Sequence, residues 1–157
     1  MTQAFIFDLS YTLLFPKDDN YSSVLNDLYR SLSGSRENYD FWEFFKLNHE
    51  LLDIIGALKP RYPLYVFTSG SIHENPVLKV ILDQYFTQVF SAQKDNLPKD
   101  KSASYIYLSR IIALRPNEIL FIDDQPANIT AASAAGINAV LYGSFDKIKK
   151  YLSVFMK

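Results

Sequence analysis

Two stretches of this chain put carboxylates where chemistry could be done. In FIFDLSYTLL an apolar run ends at Asp8, and in FIDDQPAN another ends at the adjacent acids Asp123 and Asp124, with Asn128 one helical turn further on. A carboxylate at the carboxyl end of a buried parallel strand lies where open α/β sheets bind their ligands. Taken alone, Asp8 is equally compatible with capping the turn that follows it. Adjacent carboxylates repel and raise one another's pKa unless a cation sits between them. A hard divalent ion with oxygen ligands answers that repulsion, and Mg²⁺ is suited because it accepts a few carboxylates together with waters and a phosphate. The bland alternative is a helix N-terminus stabilised by acids near its dipole, for which one acid would suffice. Two further stretches could hold an oxyanion. LYVFTSGS places Thr68, Ser69 and Gly70 just past a strand, where hydroxyls and loop N–H groups can form a cradle. Lys101 starts a helix, where a cation opposes the dipole and needs another reason to be present; Lys94 and Lys99 lie nearby, and sequence physics alone leaves the three open.

The elements that would position these groups are legible in the pattern of apolar residues. Ala4–Phe7, Leu64–Phe67, Gln88–Phe90, Ile119–Ile122 and Asn138–Leu141 are short runs of nearly continuous apolar, β-branched or aromatic character. Such runs suit parallel strands covered by helices on both faces. Between them, Pro76–Tyr85 reads as a helix with Asn75 as N-cap and Pro76 at the first helical position. Ala103–Leu114, Pro126–Ala135 closed by Gly136, and Phe145–Phe155 are further helices. The alternation from Leu64 onward predicts a doubly wound α/β fold. Residues 16–59 read as a small helical insertion beside a core made of 1–15 and 60–157, with helices over Asn20–Leu32 and Tyr39–Leu58 broken at Ser33, Gly34 and Ser35. The apolar face of the second, from Phe41 to Leu58, would pack on the core or on a second copy, giving a homodimer, or would form a lid.

Composition narrows the function classes. The 157 residues are 48% hydrophobic and 21% charged, enough for one sizeable core. With a formal charge of -1 and no clustered Lys or Arg, nucleic acid and membrane surfaces are not expected partners. The absence of cysteine excludes disulfides, Cys-zinc sites and thiol nucleophiles. No basic leader precedes the first strand and no apolar stretch approaches the roughly 20 residues of a membrane span, so a cytoplasmic protein is expected.

In this order, the four stretches resemble the four motifs of the haloacid dehalogenase (HAD) superfamily of aspartate-nucleophile phosphotransferases. FIDDQPANITAASAAGINAVLY is similar to the family's strand, acid pair, Asn, Ala-rich helix, Ala-Gly and final strand almost position by position. The resemblance implies a Rossmann-like three-layer fold with a reduced helical cap after the first motif. It implies Asp8 as nucleophile, Thr68 as phosphate-binding hydroxyl with Ser69 and Gly70 beside it, and Asp8, Ser10, Asp123 and Asp124 as the Mg²⁺ site. It also implies Lys101 as the catalytic and phosphate-binding lysine, because KSASYIYLSRII looks like the family's Lys-Pro-Asp-Pro-x-x-Tyr, with Tyr107 matching the tyrosine.

One departure bears on mechanism. Family phosphatases usually carry a second Asp two residues after the nucleophile, as acid and base; here that position is Ser10, and Tyr11 follows where the family often has glycine. The Ser10 carbonyl can still ligate a metal, but its hydroxyl is no ordinary acid. The implied activity is hydrolysis of a phosphorylated small molecule or phosphoprotein through an aspartyl-phosphate, favouring activated phosphates. The competing expectation is a pseudoenzyme that binds a phosphorylated ligand or protein partner. His73, on the loop after Gly70, is a candidate replacement for the missing acid, against the plainer reading of a solvated loop histidine.

Overall fold

The computed structural model describes residues 1–35 and 38–157. Strands β1 (Ala4–Phe7), β4 (Leu64–Thr68), β5 (Gln88–Ser91), β6 (Ile119–Asp123) and β7 (Asn138–Leu141) form a parallel sheet in the order β5-β4-β1-β6-β7. Strands β2 (Leu14–Pro16) and β3 (Phe45–Leu47) pair antiparallel beside it. The helices are α1 (Leu25–Ser35), α2 (Phe41–Phe44), α3 (His49–Leu58), α4 (Pro76–Tyr85), α5 (Ala92–Asp95), α6 (Ser102–Ile112), α7 (Pro126–Ala134) and α8 (Phe145–Leu152).

Successive side chains of a strand point to opposite faces, and the central strands use both. Phe5, Phe7, Leu64, Val66, Leu120 and Ile122 join one buried cluster with α3, α4 and α8. Ala4, Ile6, Tyr65, Phe67, Ile119 and Phe121 join a second with α6 and α7. That division explains the continuous apolar runs: no central strand has a wet face. β1 is in the middle, its Phe7 level with Val66 on one side and Ile122 on the other. The five expected strands are all present. Asn75 caps α4, its side chain accepting from Val77 N, and Gly136 follows α7 with φ 85°.

The segment between β1 and β4 differs from the sequence expectation. Tyr39–Leu58 is not one helix: α2 ends at Phe44, Phe45–Leu47 becomes β3, and α3 restarts behind Asn48, whose side chain accepts from Leu51 N. Phe45, Lys46 and Leu47 alternate buried, exposed, buried while pairing with Pro16, Phe15 and Leu14. Helical and strand spacing overlap in so short a stretch, and only the distant partner strand decides between them. Ser33, Gly34 and Ser35 do not break α1, which runs through them. The buried face of α3, Leu51, Leu52, Ile55 and Leu58, lies in the same cluster as Phe5 and Phe7. Part of the 16–59 segment is therefore a covering layer of the sheet.

Ile55 is fully buried in that shared cluster. Ile55→Ala is expected to lower the unfolding free energy by about 2–5 kcal/mol while leaving a single cooperative transition, measured by urea titration with fluorescence and circular dichroism.

Candidate active site

The carboxyl ends of β1, β4 and β6 converge on one group of polar residues. The Asp8 amide donates to Ile122 O at 2.8 Å, extending the β1–β6 register by one residue and setting Asp8 beside Asp123. Both continue the alternation that carries Ile6 and Phe121, so their carboxylates leave the sheet on the face covered by α6 and α7. Asp8 is 4% exposed and Asp123 is fully buried.

Lys99 lies between them. Its Nζ is 2.6 Å from Asp8 Oδ1 and 2.6 Å from Asp123 Oδ2, and its side chain is 6% exposed. The rings of Phe67 and Phe121 flank the ammonium at 5.4 and 5.8 Å. The start of α6 fixes the lysine: Tyr105 Oη donates to Lys99 O at 2.8 Å, and Ser104 Oγ donates to Pro98 O at 2.8 Å. Tyr105 is itself fully buried, packed on Phe67 and Phe121.

The assignment of Lys101 is therefore corrected. Lys101 is the N-cap of α6, its side chain 66% exposed and, among the described residues, paired with the neighbouring Asp100 at 3.3 Å. The lysine-to-tyrosine spacing of six that suggested Lys101 and Tyr107 holds equally for Lys99 and Tyr105. Tyr107 is 49% exposed. The burial period of α6, with Tyr105, Leu108 and Ser109 inward, is the signal that separates the two registers.

Asp123 is held by donors on both oxygens: the Gln125 amide at 2.7 Å on Oδ1, and Asn128 Nδ2 at 3.1 Å together with Lys99 on Oδ2. Asp124 is less enclosed and accepts from Gln125 Nε2 at 2.8 Å. One carboxylate oxygen from each of Asp8, Asp123 and Asp124 lies within 4.8 Å of the others. Burial drives the Asp8 carboxyl well above the ordinary carboxylate range, against the pull of Lys99 and with the added push of Asp123 and Asp124. Burial also raises Asp124. Burial alone would push Lys99 down, but Asp8 and Asp123 outweigh it and keep Lys99 an ammonium. Three carboxylates and one ammonium leave the cluster short of positive charge, and clustered oxygen donors fit a hard divalent cation.

Thr68, at the end of β4, is fully buried, and among the described residues its Oγ1 finds no hydrogen-bond partner. A buried hydroxyl left unpaired is uncommon and fits a group awaiting an acceptor. Ser69 lines the adjacent cavity of about 260 Å³ with Asp8, Ser10, Lys99 and Asp124. Gly70 has a different part. A Cβ there would clash with the side-chain amide of Asn26, so the glycine is the seat on which α1 rests. Ser10 reaches the cavity, and its hydroxyl is another buried atom without a partner among the described residues. His73 is not on this cavity; it lines a separate depression with Glu74, Lys79, Asp83 and Lys94. Burial lowers its pKa.

Sequence reasoning missed the far wall of the cavity, formed by Ser22, Ser23, Val24, Leu25 and Asn26. Tyr11, beside them, has φ 58°, a left-handed conformation that costs a non-glycine residue roughly 1–2 kcal/mol.

In metal-free protein, Lys99→Met would leave Asp8 and Asp123 buried without their cation, and is expected to lower stability by about 3–5 kcal/mol. Lys101→Met is expected to change it by no more than about 0.5 kcal/mol, both measured by urea unfolding in a chelating buffer.

A family model described as haloacid dehalogenase-like hydrolase matches residues 35–136. Enolase-phosphatase E1 of Caenorhabditis elegans is 32% identical over 100 residues, 59% of this chain and 40% of that protein. The enolase-phosphatase E1 of Methylococcus capsulatus is 32% identical over 113 residues, 64% of this chain and 46% of its own. The matched stretches thus span less than half of either relative. Among solved structures, a HAD-superfamily hydrolase of subfamily IA from Geobacter sulfurreducens superposes with a TM-score of 0.66 at 20% identity, over 90% of this chain and 89% of that one. A HAD family enzyme from Bacteroides thetaiotaomicron, crystallised in complex with magnesium and inorganic phosphate, superposes with a TM-score of 0.65 at 12% identity, over 94% and 99% of the two chains. With the carboxylate cluster at the strand ends and a family match across most of the fold, the chain belongs to the haloacid dehalogenase-like hydrolases.

Proposed function

We propose that this chain is a Mg²⁺-dependent phosphatase that works through an aspartyl-phosphate on Asp8 and favours phosphates with good leaving groups. The observation that carries the reading is Lys99 held at 2.6 Å between Asp8 and Asp123, with a third carboxylate, Asp124, alongside.

Asp8, Asp123 and Asp124, with the Ser10 carbonyl, would hold the cation. When bound, it would offset the repulsion between the anionic nucleophile and the anionic phosphate. An Asp8 oxygen attacks phosphorus, and the bond from phosphorus to the leaving oxygen breaks, its electron pair going with that oxygen. Water then attacks the same phosphorus, the Asp8–phosphorus bond breaks, and the carboxylate is regenerated as inorganic phosphate departs. Lys99 steadies the Asp8 carboxylate and the charge on the phosphoryl oxygens, and the free Thr68 hydroxyl donates to one of them.

The proton on the leaving group is the weak point. Ser10 occupies the position beside Asp8 from which a carboxylic acid would supply it, and a hydroxyl titrates too high to do so near neutrality. Acyl and aryl phosphates, whose leaving oxygens need a proton least, are the expected substrates, and alkyl phosphates the poor ones.

Mg²⁺-dependent release of inorganic phosphate from acetyl phosphate and phenyl phosphate tests this. Asp8→Asn is expected to abolish release. Ser10→Asp is expected to raise the rate on an alkyl phosphate by about 10² to 10⁴. A wild-type protein that is silent on all three substrates, beside an active Ser10→Asp variant, would instead assign the assembled pocket to binding a phosphorylated ligand.

A further inference from the structure

The far wall of the cavity is fastened at separate points. Tyr11 Oη donates to Ser23 O at 2.5 Å, and Tyr21 Oη donates to Val24 O at 2.9 Å, so adjacent carbonyls before α1 are each held by a tyrosine. Leu25 is fully buried in the core. Asn26 rests on Gly70, its Oδ1 accepting from Ile72 N at 3.3 Å. Gly70 is in turn tied to β5 through Ser91 Oγ, which donates to Gly70 O at 2.8 Å.

Of these fasteners, Tyr11 is the one that belongs to the catalytic loop. It follows Ser10 directly, its amide donates to Leu14 O at 2.7 Å, and its ring meets Phe15 edge-on at 6.0 Å. Its left-handed backbone is a conformation that a side chain makes unfavourable. Glycine would adopt it freely but could not reach Ser23. Strain of this kind persists where the surroundings over-determine it, and it clusters at ligand clamps.

The wall and the catalytic face together bound a small cleft of about 260 Å³ that stays open on one side, so the wall sets how much room there is beside Asp8. Their chemistry is one-sided. Apart from the Asp8 and Asp124 carboxylates, the lining is hydroxyl, amide or aliphatic, and its cationic side chain, Lys99, is already shared by Asp8 and Asp123. A second phosphate or a carboxylate on the substrate would meet no positive partner there.

We propose that Tyr11 is a positioning residue that sets substrate size: its hydroxyl latches residues 22–26 across the site, restricting it to small monophosphates without a second anionic group. This rests on the phosphatase reading above and narrows it. Acetyl phosphate is the expected good substrate, and a naphthyl ester, a bisphosphate or a phosphorylated side chain on a folded protein the poor ones.

The test compares wild type with Tyr11→Phe, which keeps the ring on Phe15 and removes only the hydroxyl. The readouts are kcat and KM for acetyl phosphate and 1-naphthyl phosphate, and amide hydrogen exchange of residues 20–28 in the substrate-free protein. Losing one hydrogen bond from the latch is expected to raise the naphthyl-to-acetyl ratio of kcat/KM by about three- to tenfold, chiefly through KM for the naphthyl ester. Exchange at Asp27 and Leu28, whose amides donate to Val24 O, is expected to quicken. Asn26→Ala, which frees the other end of the wall, is expected to move the ratio in the same direction. Turnover of acetyl phosphate with an unchanged ratio and unchanged exchange in both variants overturns the latch and leaves the phosphatase reading standing. Silence of wild type and Ser10→Asp toward both substrates overturns the phosphatase reading and the size filter with it, and unchanged exchange would then remove the latch as well.

Discussion

The site depends on one buried ammonium between two buried carboxylates. Asp8 and Asp123 arrive on adjacent strands, in register and on the same face, so that two buried carboxylates stand side by side. Lys99 makes the arrangement tolerable, and the surroundings are built to keep it there: aromatic rings on both sides, a tyrosine hydroxyl on its carbonyl, and a helix starting immediately beyond. Even so, with Asp124 included, negative charge exceeds positive charge. That imbalance suits the cluster to a divalent cation.

The fold supplies the precision this requires. A sheet buried on both faces by two separate apolar clusters has little freedom to shift register, because slipping a strand by one residue would exchange its two faces. Asp8, Thr68 and Asp123 all lie at strand ends and inherit that rigidity. The wall at 22–26 is held more locally, by tyrosine hydroxyls and a side chain resting on a glycine. Such contacts are individually modest, so this is the part of the site most open to change without loss of the fold.

Ser10 and Tyr11 sit between these two regimes. Ser10 places a hydroxyl on the cavity beside Asp8 and leaves the carboxylate cluster intact. Tyr11 places a strained, hydrogen-bonded aromatic where the chain turns back on itself beside Asp8. These consecutive residues of one loop border the cavity from outside the buried group of Asp8, Lys99 and Asp123.

The five strands of the parallel sheet, the longer helices between them and the positions of Asp8, Thr68, Asp123 and Asp124 were determined by the sequence itself. Continuous burial imposes a continuous apolar pattern, and the acids interrupt that pattern at the strand ends. The lysine was not legible in the same way. Lys99 and Lys101 share the spacing to a tyrosine, and one faces inward only because of how α6 is rotated against the sheet. The break of Tyr39–Leu58 into α2, β3 and α3 was likewise decided by a partner strand thirty or so residues away, since a strand needs an edge to bond to and local spacing does not encode where that edge is. The wall at 22–26 is a tertiary product too: short polar residues carry no periodic signal, and their role comes from which carbonyls and which glycine the folded chain brings beside them.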